Sequence, residues 1–289
     1  MASRQGLLSS LTVVSLFAGL SAGEGAAQAS EPTGSQEVQS NPQDVRLFQS
    51  FFSDALISRT GYVGGAASAQ EYPGGNAIEL DAMGGYAFTP QIEIQGRLGF
   101  LRSSPDEGDG SSGLTDLLVT GQYLFDDLPL NDAGDVMDIA VGGYTDLPIG
   151  ESEVGGNTLD FGVFGALRYD LNERLALAGN LGIDFVKTPS SFTPGFCIPG
   201  IYLPVCTQGN VDAGGRETSL NIGGGAIYGA TDQLNLVGEL RIETEFDYAA
   251  LSGGVDYAVT FGHIRGALLV GLDDGAPDVG LVMQLVRGL

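Results

Sequence analysis

Hydrophobic and polar residues alternate strictly along residues 174–185, RLALAGNLGIDF. Leu175, Leu177 and every second residue up to Phe185 are apolar or glycine, whereas the positions between them hold Ala, Asn, Gly and Asp. Because successive side chains of a β-strand point to opposite faces, this pattern predicts a strand with one apolar face and one polar or small face. The pattern leaves open whether the apolar face packs against a protein core or contacts lipid.

The same alternation recurs along most of the chain. Comparable segments occur near residues 57–67, 78–88, 92–100, 117–125, 139–147, 159–169, 220–228, 234–246, 251–261, 264–272 and 279–285. Together with the first segment they predict about twelve strands of about ten residues, the length expected of tilted transmembrane β-strands. An even number of strands is also what a single-chain bacterial barrel requires.

The connections between these strands alternate in length. TPQ, DLNE, ATDQ and FGH are tight turns, whereas SSPDEGDGSSG, PIGESEVGG and residues 187–216 are longer polar loops. DDLPLNDAGD is longer than expected on the short-turn side. Short periplasmic turns and longer extracellular loops are typical of outer-membrane barrels. The sequence therefore predicts an all-β fold, a transmembrane antiparallel up-and-down β-barrel over residues 57–289.

Aromatic residues on the apolar parity test this prediction independently. They occur beside the short turns at Phe88, Phe125, Tyr169, Tyr228 and Phe261, and at the opposite strand ends at Phe100, Phe185 and Phe246. Two rings of outward aromatic residues that bracket an apolar band form an interfacial girdle. The apolar faces are therefore expected to contact lipid, and the polar faces to line a lumen.

The N-terminal region has the organisation of a secretory signal peptide. Arg4 precedes the apolar run LLSSLTVVSLFAGL, and Ala27-Gln28-Ala29 matches a cleavage site. The run is too short to span a bilayer as a helix, which needs roughly 20 residues. We therefore expect residues 1–29 to be a signal peptide, and the mature chain to be located in the bacterial outer membrane.

Residues 30–56 are expected to form a periplasmic segment that leads into the barrel. Residues 30–43 are poor in apolar side chains, as flexible segments are. In residues 44–56, Leu47 and Phe51 are four positions apart, as are Phe48 and Phe52. This spacing predicts either a short amphipathic helix or an irregular start to the first strand.

The polar parity of the predicted strands carries charged residues that would face the lumen. They are Glu79, Asp81, Glu93, Arg97, Asp116, Asp138, Asp160, Arg168, Asp184, Glu239, Arg241, Glu243, Asp256 and Arg265. A lumen with one dominant sign of charge favours counter-ions. Arg241 between Glu239 and Glu243, and Arg97 beside Glu93, predict transverse ladders of charge. The alternative is that these residues form structural ion pairs that hold a narrow barrel together.

Composition excludes several other functions. The formal net charge is −24 and Lys187 is the single lysine, so the phosphate neutralisation on which nucleic-acid binding depends is not expected. Cys197 and Cys206 lie close together in FCIPGIYLPVC, which in an exported protein predicts a disulfide that closes a small loop. Neither a metal site nor a cofactor is indicated, because no further Cys or His lies near this pair.

No catalytic arrangement is evident, and we predict that the protein is not an enzyme. His263, the single histidine, lies in the tight FGH turn, without a serine nucleophile motif or metal-ligand spacing. A solvated histidine in a turn explains it more simply. The glycine-rich stretch NIGGGAIYG lies inside an alternating strand, where it indicates close backbone packing or a bend rather than a phosphate-binding loop.

Several segments, in order, resemble outer-membrane transporters of the MetA-pathway phenol-degradation type. They are SGLTDLLVTGQYLF, AVGGYTDLPIG, GNTLDFGVFGALRYDLNERLALAGNLGI, LNLVGELRIETE and LSGGVDYAVTFGHIRGALLVGLDDGAPDVGLVMQL, and the likeness covers residues 76–289. The resemblance implies a barrel that passes small, often hydrophobic or aromatic, compounds across the outer membrane. One departure is the C-terminal VRGL, since such barrels usually end in an aromatic residue read by the barrel-assembly machinery.

Two functions follow from these observations. The first is a channel or transporter for small solutes with an acidic lumen, with membrane lipids, the solute and the barrel-assembly machinery as its partners. The second is a non-conducting barrel that acts through its loops as an adhesin or surface scaffold, because a fold alone does not define a function. The loop 187–216 fits either, as a recognition surface or as a segment that folds inward and constricts the pore.

Overall fold

A computed structural model describes residues 41–106, 109–131, 134–151, 154, 158–187, 197–198, 205–206 and 216–289. The predicted signal peptide and residues 30–40 lie outside these ranges, so both stay predictions. Two 3₁₀ turns, Pro42–Asp44 and Phe51–Ser53, precede the strands. Among the described residues, no helix is both long enough and apolar enough to cross a bilayer.

In the described part of the chain, fifteen strands follow the two turns. They are β1 (Gly61–Tyr72), β2 (Gly75–Thr89), β3 (Ile92–Pro105), β4 (Ser111–Leu114), β5 (Leu117–Pro129), β6 (Val136–Leu147), β7 (Asp160–Asn172), β8 (Leu175–Lys187), β9 (Cys197–Ile198), β10 (Val205–Cys206), β11 (Arg216–Gly229), β12 (Leu234–Glu243), β13 (Tyr248–Val259), β14 (Gly262–Gly271) and β15 (Val279–Gly288). Every predicted strand segment overlaps one of these strands.

Twelve of the strands form one closed antiparallel barrel. Each pairs with its neighbours in chain order, from β1 to β15, and β15 pairs back with β1 through a ladder from Tyr62↔Gly288 to Glu71↔Val279. The short strand β4 extends the ladder of β3 beyond β5, and β9 pairs with β10 in a separate two-stranded sheet. Closure satisfies the backbone groups that an open sheet edge would expose to lipid. The predicted up-and-down barrel is confirmed.

The outer face of the barrel is an apolar belt. In the stretch with which the sequence analysis began, Leu177, Leu181 and Ile183 are exposed, whereas Ala178 and Asp184 are buried inside the barrel. The same alternation runs around the circumference. A continuous exposed apolar band of this kind, far larger than the few hundred Å² usual on soluble monomers, indicates contact with lipid.

Aromatic rings lie at the ends of this belt, with one exception. Phe88 and Phe125 are exposed near the short turns, where each packs edge to face with the preceding outward tyrosine. Phe246 was predicted in the opposite girdle but is only 8% exposed. That prediction is wrong because β12 ends at Glu243, and the following turn brings the Phe246 ring into a buried apolar cluster with Tyr72 and Tyr248.

The first strand also differs from its prediction. It begins at Gly61 rather than near residue 57, and it continues to Tyr72, which is paired with Gly75 across a two-residue turn. Residues 73–74 therefore make a tight connection at the end of the barrel where the sequence predicts long loops. The preceding residues are not part of the strand because they lie in the lumen, as described below.

The backbone supports the predicted disulfide without deciding it. Cys206 lies directly opposite Cys197 in the β9–β10 ladder. Directly opposite Cα atoms of an antiparallel pair are roughly 4.5–5.5 Å apart, which is within the range that a disulfide spans. The side chains of both cysteines lie outside the described part of the structure, so the bond stays a prediction.

Both thiols should resist alkylation in protein isolated from the cell envelope until a reductant is added. Mass spectrometry after alkylation with and without reductant measures this directly. Cys197→Ser is the control, because it should leave Cys206 open to the reagent. Alkylation of both wild-type thiols without reductant would contradict the prediction. Loss of the bond should leave the barrel folded, since the strand ladder supplies the backbone pairing.

Candidate functional site: the barrel lumen

The inward parity of the strands brings the predicted charged residues into one interior. Of the fourteen, all except Asp138 are at most 8% exposed, and Asp138 is intermediate because it lies near the start of β6 at the short-turn end. Their placement follows from the period of two, because a closed barrel turns one whole face of each strand inward.

Residues 41–58 also lie inside the barrel, and we call this segment the N-terminal plug. Its apolar side chains Leu47, Phe48, Phe51 and Phe52 are at most 5% exposed. The plug forms hydrogen bonds to side chains of β3, β5, β7, β12, β13 and β14. A segment reaches strands on all sides of a barrel only from within. Of the two alternatives for residues 44–56, neither an amphipathic α-helix nor a start to the first strand is present: the segment forms two 3₁₀ turns inside the lumen.

Glu239 of β12 binds the centre of the plug through three backbone donors. The N–H groups of Phe48 and Gln49 donate to its Oε2 at 2.9 and 2.8 Å, and that of Ser50 donates to its Oε1 at 2.8 Å. Hydrogen bonds to a charged acceptor contribute about 1.5–3 kcal/mol each. Glu239 is 1% exposed, so these bonds are shielded from water.

The side chain of Gln49 adds contacts with β13. Its Nε2 donates to the hydroxyl of Ser252 at 3.1 Å, and its Oε1 accepts from the phenol of Tyr248 at 2.8 Å. The plug is therefore held at Gln49 by both its backbone and its side chain.

Arg46 connects the plug to β3. Its guanidinium lies 2.6 Å from Glu93 and donates to Gln95 at 3.1 Å, and it also donates to the carbonyl of Leu56 at 2.8 Å. The predicted pairing of Arg97 with Glu93 is therefore wrong. Arg97 instead pairs with Glu79 and Asp81 of β2. Asp81 is its diagonal neighbour across the ladder, since Arg97 lies opposite Met83.

Arg168 of β7 binds the two ends of the plug together. Its Nη1 lies 3.1 Å from Asp54, and its Nη2 donates to the carbonyls of Pro42 and Val45 at 2.7 and 2.8 Å. Asp54 in turn accepts from the backbone N–H of Leu47 at 3.1 Å. These bonds close the plug into a compact loop.

Arg241 and Arg265 complete the plug contacts. Arg241 donates to the carbonyl of Gln49 at 2.9 Å and pairs with Glu243, as the predicted ladder on β12 requires. Arg265 pairs with Asp256 at 3.0 Å and donates to the carbonyl of Arg46. Its guanidinium also lies 4.4 Å from the ring of Phe48, within the range of a cation–π contact.

Carboxylates outnumber guanidinium groups in this interior. Ten acidic and five arginine side chains are buried among the described residues, and each of the five arginines is within ion-pair distance of a carboxylate. Asp160 and Asp184 are buried without an ion pair within the described part of the chain. Many of these buried charges are paired, and the effect of the remaining carboxylates on solutes stays a prediction.

Two cavities adjoin the plug. One, of about 350 Å³, opens at the short-turn end between the plug and β1, β13, β14 and β15, and Ile57, Tyr62 and Leu289 line it. His263 lines this cavity as well, and its Nδ1 lies 2.9 Å from Asp256. The second cavity, of about 40 Å³, lies in the middle of the lumen, with Gln49 and Phe52 of the plug on one side.

The plug was missed in the sequence although part of the signal was present. Residues 44–56 combine closely spaced Leu and Phe with one arginine and one aspartate, so they needed a buried environment. A segment in the periplasm would leave these side chains exposed to water. The enclosed space that a barrel offers them is its lumen. Which charges pair with Arg46 is a matter of long-range contacts, which spacing along the chain does not reveal.

A closed twelve-strand barrel with an apolar exterior and a polar interior is the fold of bacterial outer-membrane β-barrels. The chain is located in the bacterial outer membrane. No family model and no curated protein sequence matches it. The resemblance to the phenol-degradation type of transporter is therefore not confirmed and stays a prediction.

Solved structures share the fold. The COG4313 outer membrane channel from Pseudomonas putida F1 matches with a TM-score of 0.56 and 16% sequence identity, over 81% of this chain and 97% of that one. The KdgM porin in complex with disordered oligogalacturonate matches with a TM-score of 0.50 and 10% identity, over 79% of this chain and 99% of that one. At these identities the likeness establishes the barrel fold alone.

Proposed function

We propose that this protein is an outer-membrane channel for small solutes, and that the N-terminal plug narrows its lumen. The observation that carries the proposal is how the plug is held. Its contacts are hydrogen bonds, ion pairs and packing, as at Glu239, Arg46 and Arg168, without strand pairing to the wall. Contacts of this kind can be exchanged for contacts with water or a solute.

The polar interior favours a channel over a scaffold. A barrel that acts only through its loops does not require charges in its interior, because replacing a buried ion pair with well-packed apolar residues is often neutral or stabilising. This lumen instead contains ten buried carboxylates and five buried guanidinium groups among its described residues. Such a lining is expected where solutes and water pass.

The solute is proposed to be small, and the acidic excess should disfavour anions. Phe48, Phe51 and Phe52 of the plug would give hydrophobic or aromatic solutes an apolar surface once the plug yields. The predicted resemblance to transporters of aromatic compounds agrees with this. One structure of the same fold is named a channel and another a porin, which adds support for passage but names no solute for this chain.

The purified protein should produce small, discrete conductance steps in planar lipid bilayers. Liposomes that contain it should swell in small neutral sugars and progressively less in larger ones, because the plug lies inside the lumen and narrows it. Unboiled protein should migrate differently from boiled protein on a gel, which verifies a folded barrel in the same sample. A folded barrel that conducts nothing, both as wild type and with a loosened plug, would favour the adhesin or scaffold function.

A further inference from the structure

The plug leaves a gap on one side of the lumen. Its polar contacts at mid-height are made with β12 and β13, through Glu239, Ser252 and Tyr248. Beside these contacts, a cavity of about 40 Å³ lies between Gln49 and Phe52 of the plug and a wall formed mainly by β6, β7, β8 and β11, with residues of β5 and β12 at its edges. We call these four strands the gap wall. The cavity has room for a few water-sized molecules.

The cavity is polar and incompletely bonded. Tyr144, Asn180, Asp184 and Asn221 line it from the gap wall. Asp184 is 3% exposed, and within the described residues neither of the acceptor atoms Asp184 Oδ2 and Asn221 Oδ1 has a hydrogen-bond partner. Buried polar atoms without partners are costly, so this cavity is built for a guest that forms hydrogen bonds.

Acidic residues lead from the long-loop end of the barrel to this cavity. Asp146 of β6 lies directly opposite Asp160 of β7 in the ladder, and Asp146 interacts electrostatically with both Asp160 and Asp116. Like charges directly opposite each other destabilise a sheet. Asp184 follows on β8, where it is paired with Gly162, two residues further into the barrel than Asp160. A passing cation would relieve the repulsion at each step.

Nearby positive charges are already engaged. Arg97, which interacts with Asp146, pairs with Glu79 and Asp81 of β2. Arg241, which also lines the cavity, pairs with Glu243 and donates to the carbonyl of Gln49. Arg216 of β11 interacts with Asp160, but its guanidinium donates to the carbonyls of Phe185 and Leu159. With these groups engaged, carboxylates are in excess at Asp146, Asp160 and Asp184.

We propose that small cations with N–H donors, ammonium ions and short primary ammonium compounds, pass along the gap wall while the plug stays in place. Asp146 and Asp160 attract the cation, and Asp184 receives it in the cavity. The amide oxygen of Asn221 accepts another of its N–H groups. This inference rests on the proposed channel function. It adds the class of solute and the route that the solute takes while the plug narrows the lumen.

Gly182→Leu tests the route because Gly182 lines the cavity from β8. A side chain there would enter the gap, so ammonium conductance of the full-length protein in planar bilayers should fall at least tenfold. The matched control is Gly238→Leu on β12, which faces outward and has nothing within 4 Å of an added Cβ, and which should conduct as the wild type does. A folded Gly182→Leu protein with wild-type conductance would place the route elsewhere and overturn the proposal.

The double variant Asp146→Asn, Asp160→Asn tests the solute class and should fold readily, because it removes a like-charge pair. In a salt gradient of ammonium chloride, the wild-type reversal potential should show preference for the cation, and the double variant should lose most of that preference. Asp232→Asn, an exposed position in a short turn, is the control. An anion-selective or unselective wild-type protein would overturn the proposed solute class.

The failure of this proposal is distinguishable from that of the channel function. If the wild-type protein is closed to ammonium but a plug-loosened variant conducts, the channel function stands and passage along the gap wall is excluded. If neither conducts while both are folded by gel migration, the channel function itself fails. Methylammonium and tetraethylammonium chloride serve as probes of size, and only the former should pass.

Discussion

Replacing Glu239 with glutamine is expected to release the N-terminal plug while the barrel stays folded. The substitution removes the charge and turns one acceptor oxygen into an N–H₂ donor, which then faces backbone N–H groups of residues 48–50. Each hydrogen bond to the charged acceptor contributes about 1.5–3 kcal/mol, and about 1.4 kcal/mol changes an equilibrium constant tenfold. The equilibrium between the docked and the released plug should therefore shift by tenfold or more.

Single-channel recordings would measure this as larger and more frequent openings than in the wild type. Glu79→Gln is the matched control, because Glu79 is similarly buried on the inward face but pairs with Arg97 of the barrel wall. Limited proteolysis should also cleave within residues 41–58 more rapidly in Glu239→Gln than in the control. Unchanged conductance and proteolysis in a folded Glu239→Gln protein would show that the plug does not depend on this carboxylate.

The second large effect is expected for a charge placed on the lipid-facing surface. Leu240 of β12 is exposed on the outer face, four residues beyond Leu236, which lies opposite the girdle residue Tyr228. Four residues of a strand extend about 13 Å, or about 10 Å along the membrane normal at a tilt of about 40°, which takes Leu240 close to the middle of an apolar band about 25 Å tall. Leu240→Arg should therefore lower the free energy of unfolding by about 2–4 kcal/mol, the cost of arginine at the bilayer midplane.

Leu236→Arg is the control for depth. Arginine near the interface costs about 0–1 kcal/mol, so this variant should unfold in urea, from lipid vesicles, close to the wild-type midpoint. Equal and small effects at both positions would contradict a lipid-facing parity for β12. Equal and large effects would indicate that the membrane is centred nearer to the short turns than the aromatic girdle implies.

The strand pattern determined most of the barrel because it is a local property. A strand turns Leu181 and Asn180 to opposite faces whatever its partners are, and a closed barrel converts those faces into outside and inside. The inward placement of Glu239 and Asp184 therefore followed from their parity. The same reasoning located the short turns. At four of them, the apolar alternation of one strand ends just before the turn and that of the next strand begins just after it.

Predictions from the alternation of residues were weakest at strand ends, where the chain leaves the hydrogen-bonded ladder of the barrel. Phe246 has the parity of an outward aromatic residue, but the turn after Glu243 ends the alternation before it is reached. Asp138 has inward parity but lies near the start of β6, where the barrel interior meets solvent and burial is incomplete. In both cases the strand boundary decides the environment, and boundaries depend on the neighbouring strands.

The sequence by itself determined the class of fold and the face of each strand, since both follow from residue type and a period of two. Only the tertiary structure decided that residues 41–58 occupy the lumen, that Glu93 pairs with Arg46, and that Glu239 holds backbone N–H groups about 190 positions away in the chain. The physical reason is that these contacts join segments with no shared periodicity. Closure of the barrel creates the enclosed polar space and brings the inward side chains together. The plug binds there because its charged groups and backbone groups form ion pairs and hydrogen bonds with those side chains.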